Sequence, residues 1–411
     1  MTAARRILII TNGPMARNPR VFKEATTLGE AGYAVTVLTV SNHPPSEPLE
    51  ALLLAGARFR RITVNLLPRT GAGAFLRRSL LWVAREAGRI PGLNTIHALG
   101  PAQALLAAAR REPADLTIVH NEIAHWVGLR LIDDGRVVAA DIEDWHSEDL
   151  LPADRLRRPL NQLRRMEHML LHRAVYTTTT SDALASALHT RYAGRRPEVL
   201  TNSFPLQPLA PHEKSEAPPA FFWFSQTLGR GRGLEPFVAA WARMQRPSRL
   251  VLLGEGSGTF AQELRASVPP ARQGHLEFLR LVPAGELPEL IARHDIGLAL
   301  ELAAIPNRDL TITNKIIQYL NAGLAIVATD TRGQREVLSH APTAGMIVAL
   351  DEQAGLSACL DEFIADRSLL ARRQAAARAL AATRYCWEGE APKLLALVAT
   401  ALAPAAGPGA R

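Results

Sequence analysis

Hydrophobic and polar residues alternate in blocks from the start of the chain. An apolar run, RRILIIT (5–11), leads into a polar turn, NGPMARNP (12–19). An amphipathic segment follows, RVFKEATTLGEAG (20–32), and then a second apolar run, YAVTVLTV (33–40). Continuous Val, Ile and Leu runs are typical of strands covered on both faces, and the segment between them has helical spacing. This pattern predicts a strand, helix, strand unit of a parallel sheet.

The same alternation fills the rest of the chain, with one interruption. Residues 205–220, PLQPLAPHEKSEAPPA, are rich in proline and polar residues and show no periodicity, which is typical of a linker. We predict a first domain over 1–204 and a second over 221–385. A helix over 386–402, with a return to the first domain as one option, and a disordered tail over 403–411 follow. The predicted fold is α/β, with two tandem Rossmann-like, doubly wound parallel sheets facing a cleft.

Length and composition agree with two domains. The chain has 411 residues, 47% of them hydrophobic, and exceeds the size at which one core usually divides. The apolar run before Thr11 is too short for a signal peptide, and no uninterrupted apolar stretch reaches transmembrane length. Cys359 and Cys386 show no metal-ligand spacing, which fits a reducing compartment. We therefore expect a cytoplasmic protein, with peripheral contact at the inner membrane face as an option.

The charge narrows the classes of partner. The net charge is +8, and the excess is almost all arginine because the chain has only four lysines. A basic balance suits nucleic acid, an anionic membrane surface or a phosphorylated substrate. Aromatic residues do not alternate with basic clusters as base stacking requires, and no zinc-finger or RNP pattern is present. We therefore expect no nucleic-acid partner.

The turns after the predicted strands are the places to look for a ligand. In doubly wound sheets, ligands bind beyond the carboxyl ends of the strands, where helix N-termini favour anions. The first such turn, TNGPMARNPR (11–20), has neither a GxGxxG pattern nor a P-loop lysine, which argues against a dinucleotide or ATPase motif. GRGRG (229–233) and GEGSG (254–258) also follow predicted strands, but each alone is a weak signal.

Several segments, in order, resemble motifs of one known family. They are NPRVFKEATTLGEAGYAVTVLT, RMEHMLLHRAVYTTTTSDALASALHTRYAGRRPEVLTNSF, FFWFSQTLGRGRGLEPFVAAW, RLVLLGEGSG, LEFLRLVPAGELPELIARHDIGLAL and NKIIQYLNAGLAIVATDTRGQREVL. Together they resemble GT-B fold glycosyltransferases of the family 4 branch, over roughly residues 7–400. The resemblance implies retaining transfer of a sugar from a nucleoside diphosphate sugar, with no cofactor and no essential metal.

The chain departs from that family at specific positions. The family's two glutamates, eight residues apart, correspond to Leu310 and Gln318, and the later one would hold the donor ribose. The family's histidine near the transferred sugar corresponds to Glu143, and its diphosphate-contacting Gly-Arg corresponds to the Ser-Gln at 225–226. The resemblance then leaves Arg232 as the phosphate cation and Gln318 as an uncharged partner of the ribose.

We predict two groups of site residues. The catalytic candidates are Glu143, Asp144 and His146, three titratable groups just after the strand RVVAAD. The candidates for binding the donor and its phosphates are Asn12, Gly13, Arg20, Arg232, Glu301, Asn314, Lys315 and Gln318. No metal site is predicted, because the only paired aspartates, at 133–134, fall at the end of a helix.

Each candidate has a plainer structural explanation. Arg232 enters a helix from a loop and suits bidentate phosphate pairing, but a solvated basic turn is the alternative. Lys315 begins a helix, where a cation is unfavourable unless an anion binds, but an outward-pointing lysine is equally acceptable. Glu143 and its neighbours also suit an acidic loop that caps a helix, and Gly13 suits the geometry of a turn.

The predicted function is transfer of a hexose or related sugar from a nucleoside diphosphate sugar to a glycan or lipid-linked acceptor. Its setting is bacterial polysaccharide or glycoconjugate biosynthesis. One alternative is a GT-B protein that binds a nucleotide sugar or glycan as an assembly partner without transferring it. Another is a nucleotide-sugar epimerase of the same architecture, which needs more carboxylates and histidines than DIEDWHSE (141–148) supplies.

Basic amphipathic segments raise the option of peripheral membrane contact. We predict one long helix from about Asp154 to His172. Residues 152–173 combine arginines with an apolar helical face, and FLRRSLLWVARE (75–86) has a similar composition. The apolar positions of the first segment are Leu156, Leu160, Leu163, Met166 and Leu170. An ordinary surface helix packed on the first domain explains that segment equally well.

Overall fold

The computed structural model describes residues 4–68, 70–90, 93–155, 158–208, 217–256, 258–283 and 285–403. Residues 209–216 of the predicted linker, Leu156 and the predicted tail after residue 403 lie outside these residues. The described residues form two compact units. The first takes its residues from 1–180, 184–200 and 391–411, and the second comprises 181–183 and the described part of 201–390.

The first 200 residues build one parallel sheet with helices between its strands. The strands are β1 (Arg6–Thr11), β2 (Ala34–Ser41), β3 (Phe59–Asn65), β4 (Leu116–His120), β5 (Val138–Asp141), β6 (Thr177–Thr179) and β7 (Glu198–Val199). The helices are α1 (Pro19–Glu30), α2 (Glu47–Leu54), α3 (Ala72–Ala87), α4 (Ala102–Arg111), α5 (Asn121–Asp133), α6 (Pro152–Arg155), α7 (Leu160–Arg173) and α8 (Asp182–Tyr192). The strand order is β3-β2-β1-β4-β5-β6-β7, and all neighbouring strands run parallel.

Residues 220–348 contain the strands of a second parallel sheet, and helices continue to residue 402, the last of them mostly within the first unit. The strands of this sheet are β8 (Ala220–Thr227), β9 (Arg249–Glu255), β10 (Leu276–Leu279), β11 (Ile296–Ala299), β12 (Ala325–Thr329) and β13 (Gly345–Val348). The helices are α9 (Leu234–Trp241), α10 (Gly258–Ala266), α11 (Pro270–Gln273), α12 (Leu287–Ala292), α13 (Pro306–Leu310), α14 (Asn314–Asn321), α15 (Arg332–Ser339), α16 (Gln353–Phe363), α17 (Arg367–Thr383) and α18 (Trp387–Leu402). The strand order is β10-β9-β8-β11-β12-β13, again parallel throughout.

Burial explains why these strands are continuous apolar runs. Residues 7–10 of β1 are at most 1% exposed, although successive side chains point to opposite faces of the sheet. In both sheets the strand order reverses beside the first strand, so β1 and β4 flank one switch point and β8 and β11 flank another. Crevices at the carboxyl ends of such strand pairs are where doubly wound sheets bind ligands. The prediction of two doubly wound parallel sheets is confirmed.

The predicted long helix over 154–172 is wrong at its start. The structure has a short α6 and a separate α7 that begins after Pro159. Proline has no N–H to donate, and its ring excludes the preceding residue from helical geometry, so the break falls there. The apolar face of α7 then packs inward: Leu163, Met166 and Leu170 are at most 6% exposed in the core of the first unit. This helix is therefore a packed helix and offers no apolar face to a membrane.

A fully buried group of charges ties the first unit together. Arg20 on α1 donates from Nε and Nη2 to the two carboxylate oxygens of Asp141, at the end of β5, with both distances 2.7 Å. Its Nη1 donates to the carbonyl oxygen of Leu200 at 2.7 Å. His120, at the end of β4, lies between Glu24 Oε2 at 3.0 Å and Asp141 Oδ2 at 3.1 Å. One helix and three strand ends are joined in this way.

The charges of this group balance internally. Burial alone would lower the pKa of His120, but the carboxylates of Glu24 and Asp141 raise it to about 10, so the ring is protonated at neutral pH. Burial would raise the pKa of Asp141, but Arg20 and His120 hold it well below its usual range. Two cations therefore face two carboxylates, which is the condition under which buried charges are tolerated.

Removing one partner of this group should destabilise the protein strongly. Asp141→Asn keeps the shape of the side chain but leaves the buried guanidinium of Arg20 without its carboxylate. We expect the free energy of unfolding to fall by about 3–5 kcal/mol in urea titrations at neutral pH. Asp134→Asn is the matched control, because Asp134 makes the same two-bond contact with Arg110, at 2.7 and 2.9 Å, on the surface. Its loss of stability should be much smaller, because water solvates both groups of a surface ion pair, and equal losses in the two variants would contradict the prediction.

Candidate functional site

At the switch point of the first sheet, two asparagines join the ends of β1 and β4. The backbone N–H of Asn12 donates to Asn121 Oδ1 at 3.2 Å, and Asn121 Nδ2 donates to Thr11 Oγ1 at 2.9 Å. Asn121 has a φ of 64°, a left-handed conformation that asparagine tolerates better than most residues. Sequence reasoning missed Asn121, although an asparagine directly after a buried strand is the available signal.

The predicted residues Asn12 and Gly13 differ in their surroundings. Asn12 is engaged inside the unit, because its Nδ2 also donates to Leu99 O at 3.1 Å and its side chain fills the space where a Cβ on Gly100 would stand. Gly13 borders open space, since a Cβ added there would meet no atom within 4 Å. Gly13 is therefore the place in this turn where a ligand can approach the backbone.

Arg20 is placed elsewhere than predicted. Its side chain is fully buried, and all three of its nitrogens are used by Asp141 and Leu200 as described above. The interpretation of Arg20 as a surface cation for phosphate is thus corrected: within the first unit it is a structural residue. The sequence pattern gave no sign of this, because Asp141 lies 121 residues further along the chain.

The loop after β5 carries the three predicted catalytic residues. Glu143 and Asp144 are half-buried, and His146 begins a short 3-10 helix. Burial, together with the neighbouring carboxylates of Asp144 and Asp141, raises the pKa of Glu143 to about 7, although Arg20 acts in the opposite direction. A carboxyl group with this pKa changes protonation state near neutral pH, which suits acid or base chemistry.

Two histidines with opposite pKa shifts lie next to this loop. The ring centroids of His125 and His146 are 5.5 Å apart. Burial and the proximity of His146 lower the pKa of His125 to about 3, and His125 Nε2 lies 2.8 Å from the carbonyl oxygen of Asp141. Burial opposes protonation of His146, but Glu122 and Asp144 raise its pKa. The pair therefore consists of one neutral ring and one ring that accepts a proton readily.

Glu122 completes this histidine group and was not predicted from the sequence. Its Oε1 lies 3.8 Å from His146 Nδ1 and pairs with Arg158. Burial would raise the pKa of Glu122, but His146 and Arg158 lower it to about 2, so it is a carboxylate at neutral pH. Glu122 and His125 lie on α5, three residues apart, so both face the loop after β5. That spacing, in a helix following a buried strand, indicates that the two side chains share one face of α5, but it does not indicate which loop that face meets.

One buried glutamate fixes the position of the loop. Glu167 on α7 accepts hydrogen bonds from the backbone N–H of Ser147 at 2.9 Å, from Ser147 Oγ at 2.7 Å and from Tyr192 OH at 2.6 Å. A buried acceptor with three donors holds its partners in one geometry. The orientation of the residues next to Ser147, His146 among them, thus depends on α7.

One cluster among the described residues has the spacing of a metal site. It consists of Glu24, His120 and Asp141, each of which offers one possible ligand atom, and these atoms lie within 4.8 Å of one another. Arg20 already donates to both oxygens of Asp141, and its Nε lies 3.6 Å from Glu24 Oε1. A divalent cation would face this guanidinium and the protonated ring of His120. These residues therefore fit an internal ion-pair network and do not fit a metal.

The switch point of the second sheet gathers three cations around one carboxylate. Glu301, two residues beyond β11, pairs with Lys315 on α14, and both side chains are about nine-tenths buried, at 13% and 14% exposure. Burial would raise the pKa of Glu301, but Lys315, Arg308 and Arg232 lower it, so all three cations act on this carboxylate. Arg232 Nη1 also donates to Ser225 Oγ at 3.0 Å. Three of the predicted donor-binding residues, Arg232, Glu301 and Lys315, are thus brought together.

Three glycines beside this group stand where the backbone leaves no room for a side chain. Gly233 has a φ of 73°, and a Cβ there would lie 2.8 Å from the carbonyl oxygen of Leu300. A Cβ on Gly254 would lie 2.8 Å from Ser225 O, and one on Gly256 would lie 2.3 Å from Leu228 O. These glycines let the turns after β8 and β9 pack closely enough to hold Arg232 in place.

The remaining predicted residues lie on α14. Asn314 is the exposed first residue of this helix, and its side chain is available to solvent. Gln318 is half-buried, and its Oε1 is shielded from solvent without a hydrogen-bond partner among the described residues. Leu310, at the position of the first expected glutamate, is buried at 1% exposure. Gln318 therefore keeps an unused acceptor, while Leu310 can only pack.

The second unit matches a known family by sequence. Residues 219–366 match the family model described as Glycosyl transferases group 1. This part of the chain is thus similar in sequence to glycosyl transferases group 1 domains. The match includes Arg232, Glu301, Lys315 and Gln318, and it confirms the resemblance to these enzymes over that range. Comparison with curated protein sequences finds no match.

Solved structures are similar to the chain over its whole length. Sucrose-phosphate synthase from Thermosynechococcus elongatus has a TM-score of 0.70 at 15% identity, covering 96% of this chain and 98% of its own. HepE from Anabaena, solved with UDP, has a TM-score of 0.68 at 17% identity, covering 97% and 100%. WaaG, a glycosyltransferase of lipopolysaccharide biosynthesis, has a TM-score of 0.59 at 14% identity, covering 95% and 99%. The predicted GT-B fold is confirmed by these similarities.

The raised pKa of Glu143 predicts how stability depends on pH. A carboxyl that holds its proton more tightly when folded, with a pKa of about 7 against an ordinary 4.5, stabilises the protein in acid and loses that contribution as pH rises. Glu143→Gln removes the titration. Between about pH 5 and pH 8, the urea midpoint of this variant should rise relative to wild type by the equivalent of roughly 2–3 kcal/mol. A difference that does not change with pH would show that Glu143 titrates normally.

Proposed function

We propose that the protein transfers a sugar from a nucleoside diphosphate sugar to a glycan or lipid-linked acceptor. The setting we propose is bacterial polysaccharide or glycoconjugate biosynthesis. The observation that carries the proposal is the group of cations around Glu301, at the switch point of a sheet that is similar in sequence to glycosyl transferases group 1 domains. Anionic ligands bind at such a position in doubly wound sheets.

The charge of this group suits a diphosphate. Arg232, Arg308 and Lys315 carry three positive charges and Glu301 carries one negative charge, so these four residues have a net charge of +2. The ion pair with Glu301 restrains Lys315, so its ammonium group is held in place before a ligand arrives. A preorganised cation stabilises the charge that develops on a leaving phosphate more effectively than one that must reorient. Arg232 supplies a planar fork for two phosphate oxygens.

In a nucleoside diphosphate sugar the ribose is attached to the diphosphate, so the residue that binds the ribose should lie near the phosphate-binding cations. Gln318 follows Lys315 by one helical turn on α14, and the unused Oε1 of its side chain suits a ribose hydroxyl donor. HepE from Anabaena, which shares this fold, was solved with UDP and with UDP-glucose. We therefore take a uridine diphosphate sugar as the first donor to examine.

The reaction we propose is retaining and uses no metal and no cofactor. Arg232, Lys315 and the N–H groups at the start of α14 would stabilise the departing diphosphate, the part that a divalent metal plays in other sugar transferases. Glu143, Asp144 and His146 of the first unit are the proposed catalytic residues. Glu143 is suited to the place of the family's histidine, because its pKa of about 7 lets it accept or donate a proton at neutral pH.

The test is to incubate the purified protein with a panel of nucleoside diphosphate sugars, with and without EDTA. We expect slow release of nucleoside diphosphate from one donor, faster release with a suitable acceptor, no effect of EDTA, and retention of the anomeric configuration. Binding without turnover, in the presence of acceptor mixtures, would favour the alternative of a binding partner. Recovery of a sugar inverted at C2 would favour the epimerase.

Arg232 should matter for donor binding, whereas its neighbour should not. Arg232→Gln removes one of the cations around Glu301, and we expect the affinity for nucleoside diphosphate, measured by calorimetry, to fall by about ten- to a hundredfold. Arg230→Gln is the matched control in the same turn, because Arg230 is paired with Glu263 and Glu235 at the surface. It should bind the nucleotide as wild type does. Equal affinity of wild type and Arg232→Gln would refute Arg232 as a phosphate ligand.

A further inference from the structure

Helix α3 carries an apolar face that the rest of the chain leaves exposed. Thirteen large hydrophobic side chains of the described residues are exposed, and seven of them lie between residues 75 and 93. These seven, which we term the α3 face, are Phe75 (65% exposed), Leu76 (58%), Leu80 (61%), Trp82 (63%), Val83 (55%), Ile90 (56%) and Leu93 (49%). Such clustering is unusual for a monomer surface and marks a docking surface.

The helical spacing gathers these side chains on one side of α3. At about 100° per residue, the five exposed apolar residues within the helix fall in an arc of about 160°. The opposite side attaches the helix to its unit: Ala74 is buried there, and Leu81 packs against the core. Arg77 Nε donates to Asn65 O at 3.0 Å, and Arg78 Nη1 donates to Leu67 O at 2.6 Å. The helix is thus tied down with its apolar side outward.

The charges beside this face are positive. Residues 72–89 contain four arginines and a single carboxylate, Glu86, which pairs with Arg89 at 2.9 Å. Arg85 and Arg89 are exposed at the C-terminal end of the helix, next to Trp82 and Val83. A helix that combines aromatic and aliphatic residues on one side with arginines along its margins suits the interface of an anionic bilayer.

We propose that the α3 face is a membrane-docking surface that inserts into the headgroup region of an anionic phospholipid bilayer. In the described part of the chain, no helix has the length and apolarity needed to cross a bilayer, so the contact is a peripheral one. The surface lies on the first unit, whereas the proposed phosphate site lies on the second. The inference goes beyond the proposed function and does not depend on sugar transfer.

The arginines and the apolar side chains contribute in different ways. The apolar residues enter the lipid interface and supply the area-dependent part of the affinity. The arginines are attracted to anionic headgroups, so this part falls as salt is added. The proposal therefore requires that the affinity depend both on the apolar side chains and on the salt concentration. A purely hydrophobic protein contact would not show the dependence on salt.

Vesicle binding tests the proposal directly. Full-length protein is sedimented with vesicles of equimolar phosphatidylglycerol and phosphatidylcholine, and with vesicles of phosphatidylcholine alone. We expect binding to the anionic vesicles that weakens with salt, and at least about tenfold weaker binding to the neutral ones. Trp82→Gln and Phe75→Gln should each weaken the binding to anionic vesicles about tenfold. Trp82 is the only tryptophan with an exposed side chain in the described residues, so its emission should shift to the blue on binding.

Leu281→Gln is the matched control, because Leu281 is an exposed apolar residue of the second unit, at 39% exposure, and is not part of the α3 face. It should bind vesicles as wild type does. All three substitutions are at exposed positions, and circular dichroism should show unchanged folds. Absence of vesicle binding, equal binding to neutral and anionic vesicles, or unchanged binding of the Trp82 variant would each overturn the proposal. Self-association abolished by Trp82→Gln, in a protein that binds no vesicles, would show that a second copy covers the face.

Discussion

The buried pair of Arg20 and Asp141 holds the carboxyl edge of the first sheet together. Asp141 accepts two hydrogen bonds from Arg20, one from Thr178 Oγ1 at 2.5 Å, and contacts the protonated ring of His120. Each partner comes from a different element: α1, β6 and β4. Charges removed from water are stable only when they are paired and hydrogen-bonded, so these elements must meet in one geometry. The loop that carries Glu143 and His146 begins directly after Asp141 and takes its position from this edge.

The two units use charge in opposite ways at the same topological position. In the first unit, the buried cations Arg20 and His120 are neutralised by the carboxylates of Glu24 and Asp141. This group therefore has no net charge for a ligand to neutralise. In the second, Glu301 is surrounded by Lys315, Arg232 and Arg308, and the surplus is positive. A balanced network stabilises a fold, whereas an unbalanced one is completed by an anion. This difference in net charge separates the structural switch point of the first unit from the proposed phosphate site of the second.

Several features could be predicted from local patterns. Apolar runs separated by amphipathic segments identified two doubly wound sheets, because a strand covered on both faces must be apolar along its whole length. The family resemblance pointed to Arg232, and the start of a predicted helix pointed to Lys315; both cations act on Glu301 in the structure. The break before α7 could have been predicted from the sequence, since Pro159 excludes a continuous helix. The inward packing of α7 could not have been predicted, because its amphipathic pattern is the same whether the apolar face meets a core or a membrane.

The sequence by itself determined the class of fold, the existence of glycine-rich turns after β8 and β9, and the excess of positive charge. These follow from periodicity and composition, which act over a few residues. Tertiary structure decided which charges meet: Arg20 pairs with a carboxylate 121 positions away, and Glu122 and His125 turn towards the loop of His146. It also decided that the apolar side of α3 stays exposed while that of α7 is buried. Such outcomes depend on contacts between distant segments, and no local pattern specifies them.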